Sequence, residues 1–80
     1  MPTKKQNIAQ CIEHNLQQYF KDLDGEMPCG VYDMVLHQVE LTMLRCVMEQ
    51  CERNQTRAAA MLGLNRNTLR KKLIQHNLIE

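Results

Sequence analysis

No stretch of this sequence approaches the roughly 20 consecutive apolar residues of a bilayer span, which excludes a membrane-spanning helix. The opening segment, MPTKKQNIAQCIEHN, lacks the apolar core of a secretory leader. The four cysteines, Cys11, Cys29, Cys46 and Cys51, lie in helical, apolar patterns and not in loop-rich sequence. They therefore read as reduced thiols of a cytoplasmic chain, acting as small buried hydrophobes, with a cross-dimer disulfide left open should Cys11 or Cys29 meet its mate on oxidation. There is no internal repeat and no low-complexity segment. There is no glycine-rich loop either, and the one nucleophile–base pair, Cys11 with His14, sits on an amphipathic surface. The neighbouring carboxylates Asp22 and Asp24 fall at a helix end, where they read as solvated, so no catalytic function is expected. Cys11 and His14 have a spacing that could hold zinc, but a structural site needs four convergent ligands. Cys46 and Cys51 are about 140° apart around a helix and do not share a ligand sphere. No metal, no cofactor and no small-molecule substrate are expected, and His37 and His76 have no distinctive partner in the sequence.

What is present begins with an uneven charge. The 80 residues carry a net charge of only +1, but residues 1–52 hold four Lys/Arg against eight Asp/Glu, and residues 53–80 hold six against one. An acidic body with a basic C-terminal third suggests a nucleic-acid-binding end joined to an end with another task.

After a frayed start at Pro2 to Lys5, Ile8, Ile12, Leu16, Tyr19, Phe20 and Leu23 recur at the spacing of an amphipathic helix over 7–23. Asp24-Gly25 stops it, and Pro28 and Gly30 extend the break. A second pattern, through Tyr32, Val35, Leu36, Val39, Met43, Val47, Met48 and Cys51, predicts a helix over 31–51, about 31 Å long at 1.5 Å per residue. Joined by a short loop, the two form an antiparallel hairpin with more apolar surface than two short helices can cover. Pairing of two hairpins in a dimeric four-helix bundle solves this; the alternative is a monomer whose C-terminal helices fold back on the hairpin.

The last part, NQTRAAAMLGLNRNTLRKKL (residues 54–73), reads as two helices about a tight turn. Asn54 caps Gln55–Leu62, Gly63 takes a left-handed conformation, Leu64 pins the pair, and Asn65 opens a helix from Arg66 to about His76. This is the helix-turn-helix arrangement. Ala58, Ala59 and Ala60 allow close approach, and Leu69 and Leu73 would face Met61, Leu62 and Leu64. On a 100° wheel from Leu69, Arg66 falls at about 60°, Arg70 at about 100°, Asn67 at about 160° and Lys71 at about 200°, with Lys72 flanking the inner face. Arginine and asparagine can pair with base edges in a major groove, and the first turn of the second helix usually does so. Asn54, Thr56 and Arg57 open the preceding helix, where side chains and free N–H groups suit phosphates. Two readings stay open on the residues alone: a DNA-binding unit, or an acidic helical module that binds protein.

This stretch resembles the C-terminal helix-turn-helix of the Fis family, the bacterial factors for inversion stimulation, and the resemblance continues through QQYFKDLDGE and VYDMVL. It implies an all-α single domain over 1–80. Two long helices (7–52) would intertwine as the core of a homodimer, and residues 53–80 would form the helix-turn-helix. It implies a nucleoid-associated protein in the bacterial cytoplasm that regulates transcription by binding and bending double-stranded DNA. Recognition helices closer together than one turn of straight B-DNA would force the bend, so sequence preference would come largely from deformability. By position, Asn65, Arg66 and Thr68 would meet base edges, and Asn54, Thr56, Arg57, Arg70, Lys71 and Lys72 would meet phosphates. Three departures carry expectations. Longer members have an N-terminal β-hairpin arm that touches DNA invertases, so bending without invertase activation is expected here. Ile74-Gln75 replaces lysines, which should give a shallower salt dependence. Thr42 stands where some members have proline, so the second helix should lack a proline kink.

Overall fold

The computed structural model describes residues 7–80; the start expected to fray, Pro2 to Lys5, lies outside them. Among the described residues the chain is all-α, with four helices: α1 (Ile8–Asp22), α2 (Val31–Gln50), α3 (Gln55–Leu62) and α4 (Arg66–Gln75). Two compact units meet in the chain between Val31 and Tyr32.

In the first unit, α1 begins with a reciprocal cap. The Asn7 side chain accepts from the Gln10 N–H at 2.7 Å, and the Gln10 side chain accepts from the Asn7 N–H at 3.4 Å, satisfying two donors that the first turn would otherwise leave free. The helix stops at the expected place, with Asp24 (φ 55°) and Gly25 (φ 91°) both left-handed. No residue of α1 is buried; Ile8 is 74% and Phe20 46% exposed.

In the second unit, α2 runs unbroken through Thr42. Its C-terminal half supplies Leu44, Met48 and Cys51 to a core completed by Ala58 and Ala59 of α3 and Leu69 and Leu73 of α4, with Val47, Leu62, Leu64, Leu78 and Ile79 around it. Leu44, Leu69 and Leu73 are fully buried, each stabilising the unit by about 1.5–3 kcal/mol. The alanines matter because their small methyl side chains let α4 close onto α3. The N-terminal half of α2 is different, leaving Tyr32 and Leu36 exposed, and Met43 beyond it is exposed as well. The short helices thus fold back on only half of the α2 stripe.

The three helix ends of this unit share one device. After α3, Gly63 (φ 75°) turns left-handed so that the Leu64 N–H reaches the Ala59 carbonyl at 2.9 Å. After α4, Asn77 (φ 60°) does the same and the Leu78 N–H reaches the Leu73 carbonyl at 2.8 Å. After α2, the left-handed residue is Glu52 (φ 54°), and the Arg53 N–H reaches the Met48 carbonyl at 2.8 Å.

Two expectations about the core are corrected. Cys11, Cys29 and Cys46 are exposed in the protomer, and only Cys51 is a buried hydrophobe. Cys11 lies on α1, which has no buried residue, Cys46 lies on α2 outside the core, and Cys29 lies in the loop before α2. Met61 is 56% exposed and stands outside the core that Leu69 and Leu73 form with Ala58 and Ala59. Its sulfur nevertheless reaches the Cys51 thiol at 4.0 Å.

Candidate nucleic-acid interface

The residues singled out in the sequence sit at the starts of α3 and α4 and along the outer side of α4. Asn54 caps α3, its Oδ1 accepting from the Arg57 N–H at 3.1 Å. Asn65 caps α4, its Oδ1 accepting from the Asn67 N–H at 2.7 Å. Each cap engages the amide oxygen, so the –NH2 of each is left to donate outward, to a phosphate oxygen or a base acceptor. A two-point pair between Asn65 and adenine would need Oδ1 to accept a second hydrogen bond, at the lone pair that the cap leaves over.

The guanidinium of Arg66 donates to the Thr56 hydroxyl at 3.3 Å. This hydrogen bond joins a residue expected at base edges to one expected at phosphates, and brings the first turns of α3 and α4 together. Arg57 lies 3.9 Å from Glu52, with both side chains largely exposed, a pairing that solvent reduces to little. Asn54, Thr56, Arg57, Asn65, Arg66, Thr68, Arg70 and Lys71 are all exposed. Opposite them, Leu69 and Leu73 are buried, so the outer side of α4 is cationic and polar while its inner side is apolar. Such a helix, 10 residues long, with free N–H groups at its first turn, has the dimensions and chemistry of a groove reader.

Lys72 is placed differently. Its ammonium donates to Glu40 Oε2 of α2 at 2.7 Å and is half-buried. The other Glu40 oxygen, Oε1, lies 2.8 Å from His76 Nε2. The His76 side chain is 1% exposed, its Nδ1 makes no hydrogen bond, and its ring packs at 4.8 Å between centroids and 46° against that of His37. The hydrogen bond from Lys72, and next that from His76, hold the Glu40 carboxyl below its ordinary value, against the opposing pull of burial. No motif in the sequence marks Glu40 and His76 as partners. The one available signal is that His76 continues the inward stripe of Leu69 and Leu73 at i+7 and i+3.

Among the described residues, no helix is long and apolar enough to cross a membrane. The same residues contain no cluster of three His, Cys, Asp or Glu side chains arranged to hold a metal.

With this geometry in view, the relatives are informative. The family model for bacterial regulatory proteins of the Fis family matches residues 35–76, from one turn into α2 to the residue after α4. A protein of Neisseria meningitidis serogroup A, named as Fis-like and DNA-binding, is 70% identical over 79 residues, covering 99% of this chain and all of its own. A similarly named protein of Pseudomonas aeruginosa is 46% identical over 98% of this chain and 76% of its own. DNA-binding protein Fis of Glaesserella parasuis is 43% identical over 92% of this chain and 71% of its own. Identity at this level across nearly the whole chain, α1 included, makes this chain a member of the Fis family of bacterial regulatory proteins.

Proposed function

We propose that this chain binds double-stranded DNA as a homodimer, bends it, and so regulates transcription at the bacterial nucleoid in the cytoplasm. The observation that carries the reading is the two-sided α4, with Leu69 and Leu73 buried against the core and Asn65, Arg66, Thr68, Arg70 and Lys71 exposed. Asn65, Arg66 and Thr68 would approach base edges, and Asn54, Thr56, Arg57, Arg70 and Lys71 would hold phosphates. The names of the relatives support DNA as the ligand.

The dimer is supported by apolar surface that the protomer leaves in water. No residue of α1 is buried, and Tyr32 and Leu36 of α2 are 76% and 48% exposed. A small chain with that much uncovered apolar surface gains most by pairing with a copy of itself. In the proposed dimer α1 and α2 of both chains form the core, and each chain presents one α4. Bending follows if the two helices lie closer than one turn of B-DNA, because adjacent grooves are then reached only by deforming the duplex.

Fluorescence anisotropy on a labelled duplex across a salt series tests the binding. Affinity should fall steeply with salt, and Arg66→Ala should cost about 1–3 kcal/mol at fixed salt. Absent or salt-insensitive binding would contradict the proposal and favour a protein-interaction module.

A further inference from the structure

The most unusual polar feature of the second unit lies away from the exposed side of α4. Glu40 makes hydrogen bonds to residues 32 and 36 positions away, whereas the other side-chain hydrogen bonds among the described residues span ten or fewer. Leu44, Leu69 and Leu73 set how close α2 and α4 lie and which side of α4 faces inward, but apolar packing is non-directional and adds no hydrogen bond to anchor the exact rotation. A carboxylate that accepts from Lys72 at 2.7 Å and from His76 at 2.8 Å fixes two points one turn apart on α4. Both bonds are charge-assisted at the carboxylate and directional, and both oxygens of Glu40 are engaged.

We infer that Glu40 is a positioning residue for DNA recognition: through Lys72 and His76 it sets the rotation of α4, and thereby where Asn65, Arg66 and Thr68 point. It does so without touching DNA. A corollary concerns Lys72, assigned by position to a phosphate. Its ammonium belongs to Glu40, and it contributes to orientation instead of to charge neutralisation. The inference rests on the proposed DNA binding, and deepens it.

The test uses two duplexes, the tightest one recovered by selection from a random pool with the unaltered protein, and a random-sequence duplex. Affinities are measured across a salt series, at a temperature where circular dichroism shows each variant fully folded. Glu40→Gln should lower the ratio of selected to random affinity by about fivefold or more, the effect of one misplaced base-reading side chain, while the salt slope stays as it was. Lys72→Met should do the same. Lys71→Met should instead lower the slope by about 0.9 for each phosphate it no longer neutralises, and weaken both duplexes alike. A change that only weakened the fold would not alter the ratio. The inference is overturned if Glu40→Gln keeps the ratio, or if Lys72→Met reduces the slope as Lys71→Met does. Failure of the unaltered protein to bind either duplex would overturn the DNA reading and this inference together, and is distinguished by that control.

Discussion

At the turn between α2 and α3, Glu52 (φ 54°) and Arg53 (φ 65°) are both left-handed, a conformation that crowds the Cβ of any residue but glycine. At the position equivalent to Glu52, the next helix, α3, ends on Gly63, for which a left-handed φ costs little. The Glu52–Arg53 turn is therefore a local reserve of strain directly before Asn54, the cap of α3. Arg53→Gly should relieve it, stabilising the protein by about 1 kcal/mol and raising Tm by about 4–8 °C in a thermal melt. An unchanged or lower Tm would mean that the Arg53 side chain contributes more than its backbone costs. The same residues mark what is legible in the sequence. Asn54, Gly63 and Asn65 announce caps and a left-handed turn, so α3 and the start of α4 can be read to the residue. Glu52 and Arg53 announce nothing of the kind, and the apolar pattern carries α2 on to Cys51, one residue beyond its end at Gln50.

At the scale of the helices, the hydrogen-bonded carboxylate of Glu40 ties α2 to α4. Its carboxyl is held below the ordinary glutamate value of 4.5, so the folded protein binds this proton more weakly than the unfolded chain. Stability from Glu40 is then fully present above about pH 4.5 and is lost as pH falls through the folded value. Denaturant unfolding at neutral pH should show Glu40→Gln less stable than the unaltered protein, and the gap should shrink on acidification below about pH 4.5. A gap that persisted or widened in acid would show that Glu40 acts in another way. None of this is legible in local pattern. Periodicity tells which side of α2 and which side of α4 are apolar, but not that Glu40 meets Lys72 and His76, because register between helices 32 residues apart is fixed only when Leu44, Leu69 and Leu73 pack. The same limit explains the exposed Cys11 and Cys46: helical periodicity groups apolar residues, but it does not tell which of them another element covers.

For the whole molecule, the division of labour runs through α2. Its C-terminal half closes the core under α3 and α4, and its N-terminal half, with Tyr32 and Leu36 exposed, would be the part left for a second chain in the proposed dimer. A single helix shared between the two tasks would give rigid spacing between the α4 helices of a dimer, and rigid spacing is what converts two modest footholds into a bend. Each α4 alone would grip one groove; two held at a fixed separation would make the duplex adapt to the protein. A circular-permutation bending assay on a DNA fragment carrying a selected site, with the mass of the complex measured alongside, examines this in one experiment. Two chains per duplex, with mobility slowest when the site lies mid-fragment, is the expected outcome. A bound complex whose mobility is independent of site position, or one holding a single chain, would contradict it.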